Sequence, residues 1–240
     1  MAVAISRQIQ NGGTYIIGTG LPLIGAALAK NTHAAEARFI FESGIFESEP
    51  EEVPTSVSDL RICRKASVLW PQYRYVGFSA LYAKRGVITA GFLGGAQIDP
   101  YGNLNATSIG DYRSPRTRFT GSGGANGIAT HCDTVIVMKH EKRRFVERLD
   151  YVTSSGWVDG EDGRARAGLN PSKGPQAVVT DLGIMRFGAD RRMYLAEYSC
   201  GASPSDVIAN TGFEIDVSAA VESKPPTEEE LNVLKSICRP

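Results

Sequence analysis

Thr14-Tyr-Ile-Ile17 runs directly into Gly18-Thr-Gly20 and then into Leu21 to Lys30, where Ala and Leu recur at helical spacing. A short β-branched and aromatic run without polar alternation needs both faces covered, as strands of parallel sheets do. Pro22 is tolerated in the first helical turn, so the segment reads as strand, glycine turn, helix. A second apolar run, Arg38-Phe-Ile-Phe41, ends at Glu42-Ser43-Gly44. Val87 to Leu93, Thr134 to Met138, Ala177 to Thr180 and Met193 to Glu197 extend the series. Strand runs alternating with helices predict an α/β fold, a mostly parallel sheet flanked by helices.

Local signals fill in the rest. Val178 to Met185 predicts a hairpin turning at Asp181-Leu-Gly183. Ser203 before Pro204 predicts a capped helix over Pro204 to Asn210, and Thr227 with Glu230 forms a capping box for a last helix. The Gly-, Asp-, Arg- and Pro-rich stretch Asp159 to Pro175 reads as a long surface excursion. With no linker-like stretch and no repeat, a single domain is expected over residues 1–240.

Lys plus Arg and Asp plus Glu number 26 each, so no net field draws the chain to nucleic acid or an anionic membrane. Hydrophobic residues at 42% and charged residues at 22% describe an ordinary soluble protein, large enough to bury a core. The four cysteines are scattered without a CxxC pair, as expected of reduced thiols. Only three histidines occur, none at metal-ligand spacing, so no metal is expected. The N-terminus has no leader pattern and no apolar run reaches a membrane span, so a cytoplasmic location is expected.

Chemistry concentrates in three glycine clusters: Gly18-Thr-Gly20, Gly94 to Asn105, and Thr120 to Gly127. Glycine after a strand lets backbone N–H groups converge on an anion or oxyanion. Each cluster alone is equally a tight turn, and Glu42 alone is equally a cap or salt-bridge partner. Lys139-His-Glu-Lys-Arg-Arg144 reads as a solvated helix start, a phosphate contact or a subunit interface. His131 beside Cys132 suggests a nucleophile pair, but adjacent strand residues point to opposite faces.

Together the motifs resemble the family I coenzyme A transferases, in particular the B (beta) subunits of their glutaconate branch. The resemblance runs from about Gly12 to Val221. Its carriers are Gly18-Thr-Gly-Leu-Pro-Leu-Ile-Gly25, Glu42-Ser-Gly44, Gly94 to Asn103, Thr107 to Tyr112, Phe119 to Ala129 and His140 to Phe145. Most of the family sets its glutamate in Glu-Asn-Gly; Glu-Ser-Gly here matches the glutaconate branch. The resemblance implies the superfold shared with ribose-phosphate isomerase and glucosamine-phosphate deaminase.

It also implies that Glu42 attacks an acyl-CoA thioester, with an acyl-glutamyl anhydride and a glutamyl-CoA thioester on the path. Gly123 and Gly124 would supply oxyanion donors. Gln97 and Asn103 would line the site, and Ser43 would either orient Glu42 or cap the next segment. No tightly bound cofactor is implied; coenzyme A enters as thioester substrate. The implied partner is a homologous A (alpha) subunit, in an A2B2 or larger heteromer. The competing readings are an acyl-CoA hydrolase or decarboxylase subunit on the same scaffold, a sugar-phosphate isomerase, and a noncatalytic scaffolding subunit.

Overall fold

The computed structural model describes residues 1–18, 20–48, 54, 59–71 and 85–238. Thr19, in the middle of the first glycine cluster, lies outside them. The chain forms two compact units, Met1–Phe92 with Pro225–Pro240, and Leu93–Lys224.

In the first unit, helix α1 (Ala2–Ser6) precedes strand β1 (Thr14–Ile17), helix α2 (Leu21–Lys30) and strand β2 (Arg38–Phe41). The strand–turn–helix unit and the boundaries of β2 are those predicted from the glycines. All four residues of β1 are buried, as a run without polar alternation requires. β1 lies parallel to β2 with Tyr15 opposite Phe39 and Ile17 opposite Phe41. It also lies parallel to β5 (Ala90–Leu93), with Tyr15 opposite Ala90. The run predicted from Val87 becomes strand only at Ala90; Val87 is exposed.

Beyond β2 the chain reverses into β3 (Ile45–Phe46), which pairs antiparallel with β2 and with β4 (Val68–Leu69). On the helical side, Gly25 lets α2 approach α1, since a Cβ there would run into Ile5. The C-terminal helix Glu228–Ile237 carries the capping box predicted at Thr227 and Glu230. Glu230 also accepts from Arg7, at 2.8 Å from Nη2, which joins the two ends of the chain.

The second unit holds β10 (Asp133–Val137) parallel to β11 (Pro175–Val179), which pairs antiparallel with β12 (Gly183–Phe187). β13 (Met193–Tyr198) continues antiparallel, and β14 (Val221–Glu222) returns parallel to it. The hairpin predicted around Asp181 is therefore present. The helix Pro204–Ala209 starts at a Ser203–Asp206 capping box.

Two short ladders were not predicted: β6 (Gln97–Ile98) with β7 (Leu104–Asn105), and β8 (Ser108–Ile109) with β9 (Thr117–Arg118). The α/β class stands: β1 pairs parallel with β2 and β5, β10 with β11 and β13 with β14, while β2–β3, β3–β4, β11–β12 and β12–β13 are antiparallel. Among the described residues no helix is long and apolar enough to cross a membrane.

The Asp159–Pro175 stretch is mostly exposed, as a surface excursion is, but it is anchored from within. It contains the one-turn helix Gly163–Arg166, and Arg164 within it is only 1% exposed. Trp157 just before it is buried and donates Nε1–H to the Pro175 carbonyl at 3.0 Å. Side chains at its base anchor the stretch, and its glycine content concealed them.

Candidate active site

Glu42 and Ser43 belong to the first unit, and Gln97, Asn103, Gly123 and Gly124 to the second. Glu42 opens the three-residue turn between β2 and β3, closed by the Gly44 N–H donating to the Phe41 carbonyl at 2.9 Å. Gly44 takes φ of 86°, the left-handed position such a hairpin loop needs. A Cβ there would strike the Trp70 carbonyl, while the Trp70 N–H donates to Gly44 O at 2.8 Å. Phe39, Ile40 and Phe41 are all buried, each contributing about 1.5–3 kcal/mol relative to exposure. A one-residue slip would draw Arg38 or Glu42 into this covered strand, so the register places Glu42 at the first turn position.

The Glu42 side chain is half-buried, and among the described residues it makes no hydrogen bond or ion pair. Ser43 Oγ is buried and also without a partner among the described residues, so no Ser43–Glu42 hydrogen bond forms. This turn holds a carboxylate in place without using it structurally.

Gln97, Asp99, Asn103 and Asn105 of the second glycine cluster are hydrogen-bonded to one another and to neighbouring loops. Asn103 is 4% exposed, and its Nδ2 donates to Asp99 Oδ2 and to the Val158 carbonyl, both at 2.7 Å. Its Oδ1 accepts from the Gly156 N–H at 2.7 Å and the Val158 N–H at 3.3 Å. Asp99 also accepts from the Tyr101 and Asn103 N–H groups, both at 3.0 Å. Burial outweighs these bonds and pushes the Asp99 carboxyl up to about 6.

Gln97, 6% exposed, donates to Asp150 Oδ2 at 3.0 Å and accepts from Asn105 Nδ2 at 2.7 Å. Asp150 in turn accepts from the Gly110 N–H at 3.1 Å. Gln97 and Asn103 therefore tie loops together, with their amide groups turned inward.

The third cluster is open. Gly121 donates to the Ala106 carbonyl at 3.0 Å and has φ of 87°; Gly123 has φ of 48°. Gly124 is the N-cap of the helix Ala125–His131. Gly123 and Gly124 are exposed, and neither N–H donates to a partner among the described residues.

The charge run at Lys139 to Arg144 forms a turn, not the helix start that was one reading of it. Glu141 accepts from Arg143 at 2.7 Å and from Arg144 at 3.1 Å, and Arg144 reaches the Gly95 carbonyl at 3.4 Å. His140 is buried, stacked on Phe145 with ring centroids 3.9 Å apart. Its ring nitrogens meet the Thr180 and Thr211 hydroxyls at 3.1 and 3.0 Å. Both hydroxyls also reach carbonyls, Thr211 to Val207 O at 2.7 Å and Thr180 to Gly183 O at 3.0 Å, so the neutral ring donates to one hydroxyl and accepts from the other. Burial holds this ring neutral, lowering it to about 4.

Cys132 is not on a strand but caps the helix ended by His131. Burial pushes its thiol up to about 12, so burial, not the strand geometry expected, removes it as a nucleophile. Of the arginines near the third cluster, Arg118 donates to the Tyr112 carbonyl at 2.6 Å and lies 4.6 Å over that ring. Arg113 and Arg116 are exposed. Among the described residues no cluster of His, Cys, Asp or Glu is arranged to hold a metal ion.

The buried Arg164 escaped the sequence reading altogether. A lone arginine in a Gly- and Asp-rich stretch looks like any solvated cation, and only the tertiary contacts distinguish it.

The coenzyme A transferase family model matches residues 1–210. The chain is 53% identical to the B subunit of glutaconate CoA-transferase of Acidaminococcus fermentans, over 98% of this chain and 89% of that protein. It is 37% identical to the B subunit of 3-oxoadipate CoA-transferase of Pseudomonas knackmussii, over 99% and 91%. The crystal structure of glutaconate coenzyme A-transferase from Acidaminococcus fermentans superposes with a TM-score of 0.94 at 52% identity, covering 98% of this chain and 92% of the other. On the family match and on these two identities, the chain belongs to the coenzyme A transferase family.

Proposed function

We propose that this chain is the catalytic-glutamate subunit of a two-subunit enzyme moving coenzyme A between an acyl-CoA and a dicarboxylic acid such as glutaconate. The observation that carries the reading is Glu42: a half-buried carboxylate, held at a strand end by a fixed turn and committed to no other partner among the described residues. The likeness to two transferase B subunits supports the substrate class and a homologous A partner; an A2B2 or larger assembly is part of the proposal. In this reading residues 1–240 act as one cytoplasmic beta-subunit domain without a tightly bound cofactor.

The steps follow from the side chain. A Glu42 oxygen attacks the thioester carbonyl, and collapse of the tetrahedral adduct expels CoA thiolate and leaves an acyl-glutamyl anhydride. The thiolate then attacks the glutamyl carbonyl, freeing the first acid and leaving a Glu42–CoA thioester. The second acid's carboxylate attacks that thioester and the thiolate leaves. The thiolate finally attacks the acid's own carbonyl, regenerating the Glu42 carboxylate and a new acyl-CoA. An anhydride lies far above a thioester in free energy, so contacts along the CoA chain offset part of the rise. Water must be kept out, because it would consume every intermediate.

The free Gly123 and Gly124 N–H groups are suited to the oxyanion, a role in which one donor is typically worth about 2.7–4 kcal/mol. Gln97 and Asn103 act as scaffold for the neighbouring loops, since their amide groups are already used. Ser43, beside the nucleophile with an unpartnered hydroxyl, is the residue placed to donate to Glu42 when the turn adjusts around substrate. The hydrolase and decarboxylase alternative is not favoured, because the carboxylate that transfer chemistry requires is present.

The test is to assay the chain alone, the chain with an A-type subunit, and the pair carrying Glu42→Gln. Glutaryl-CoA serves as donor and glutaconate as acceptor. Turnover is expected from the pair only, and Glu42→Gln should remove it by at least about 10^4-fold. Turnover by the isolated chain would overturn the heteromer, and an active Glu42→Gln pair the nucleophile.

A further inference from the structure

The guanidinium of Arg164 is satisfied by backbone carbonyls on every side. Nε donates to Asn170 O at 2.9 Å, Nη1 to Gly156 O at 2.8 Å and Ser155 O at 3.4 Å. Nη2 donates to Ala129 O and Thr130 O, both at 3.1 Å. Among the described residues no carboxylate forms an ion pair with it, although Asp133 lies near enough to favour the charge. Ala129 and Thr130 belong to the last turn of the helix Ala125–His131, whose carbonyls have no further turn to bond to. A buried cation there satisfies those carbonyls and complements the helix dipole.

That helix carries Gly124 at its other end, five residues before Ala129 and six before Thr130, a span of about 8–9 Å. It is poorly suited to hold itself in place. It is short, contains Gly127 inside it, and is entered through Gly121 and Gly123, both at positive φ. Its position comes from the burial of Ile128 and Ala129, the Gly121–Ala106 bond and the Arg164 clamp.

We propose that Arg164 is a positioning residue for coenzyme A transfer: it clamps the C-terminal turn of the helix whose opposite end presents the Gly123 and Gly124 amides. The inference rests on the reading of those amides as oxyanion donors. A guanidinium suits the task because its donors are fixed in one plane and reach several carbonyls at once. A lysine ammonium keeps the charge but offers three donors from a single point. Misplacing a reacting group by about 1 Å costs on the order of 10²-fold, while binding of the CoA chain is left largely alone.

The experiment compares Arg164→Lys with Trp157→Phe in the assembled enzyme, using glutaryl-CoA and glutaconate. Trp157 anchors the same stretch through its bond to Pro175 O and, among the described residues, makes no hydrogen bond to the helix. Arg164→Lys should lower kcat by about 10- to 100-fold with KM for glutaryl-CoA held within about threefold. Amide hydrogen exchange should quicken over residues 121–132 and stay unchanged over 175–179. Trp157→Phe should lower the melting temperature and leave kcat within about twofold of the unaltered enzyme.

Equal losses in the two variants, or a normal kcat in Arg164→Lys, would overturn the clamp. A Gly124→Val enzyme separates the two readings. If it is impaired while Arg164→Lys is not, only the clamp falls; if it turns over normally, the oxyanion role falls first. Should Arg164→Lys fail to assemble, exchange in the unaltered protein decides. Residues 125–131 and 163–166 should then open together with one denaturant dependence, and independent opening would refute the proposal.

Discussion

The turn at Glu42 and the knot at Asn103 are both polar, both follow short strands, and both look like site material in the sequence. They differ in what their side chains are committed to. Asn103 spends its amide on Asp99, Val158 and Gly156, while Glu42 spends its carboxylate on nothing among the described residues. The glycines divide in the same way, with Gly95 taking Arg144 on its carbonyl and Gly123 and Gly124 leaving their N–H groups free. Saturated groups build the scaffold, and groups that the fold positions without using remain available for chemistry. Removing the first kind should cost stability, and removing the second should cost turnover.

Loss of Glu42 is the largest expected effect on turnover. Next comes Gly124→Val, which puts a branched side chain where, in the proposed mechanism, the backbone approaches the thioester. It should lower kcat by about 10²- to 10³-fold at unchanged melting temperature. Near-normal kcat would reduce Gly121 to Gly124 to a turn and blur the contrast. Asn103→Leu tests the other side. It strands Asp99 Oδ2, the Val158 carbonyl and the Gly156 N–H, at a cost of about 3 kcal/mol in urea unfolding. The surviving folded enzyme should keep its kcat, and a selective loss of kcat would return Asn103 to the active site.

The smallest effect is on pH dependence. His140 is held near 4 against about 6.5 in the unfolded chain. The unfolded state binds the extra proton between those values, so His140's contribution is complete above about pH 6.5 and is lost as pH falls toward about 4. Asp99, raised from 3.8 to about 6, acts in the opposite sense. Its folded form takes up the proton first, so acidification through that window favours the native state. Asp99→Asn should leave the His140 loss unopposed. The urea midpoint of the variant is then expected to fall more steeply between pH 6 and pH 4 than that of the unaltered protein. Parallel profiles would show that Asp99 is not held high.

Much of this was legible beforehand because glycine and capping residues punctuate the chain. β1, α2 and β2 end where glycines, turn residues and side-chain periodicity say they do, and the Ser203 and Thr227 boxes mark their helices. The two-residue ladders were not legible, since Gln97–Ile98 and Ser108–Ile109 are too short to show alternation. The inward turn of Gln97 and Asn103 depends on partners some 53 residues away, at Asp150 and Gly156. The same holds for Arg164, whose acceptors in the 125–131 helix lie 34 and 35 residues earlier. Residue type suggests which groups are capable of chemistry; long-range pairing decides which of them are left free to perform it.

The central claim is that Glu42 holds coenzyme A covalently between two half-reactions. Incubating the assembled enzyme with glutaryl-CoA, removing the released acid, and mapping peptides by mass spectrometry tests it directly. The account predicts one CoA adduct, on the peptide containing Glu42, lost on addition of glutaconate and absent from Glu42→Gln. An adduct on any other residue, or a Glu42→Gln enzyme that still transfers coenzyme A, would contradict it.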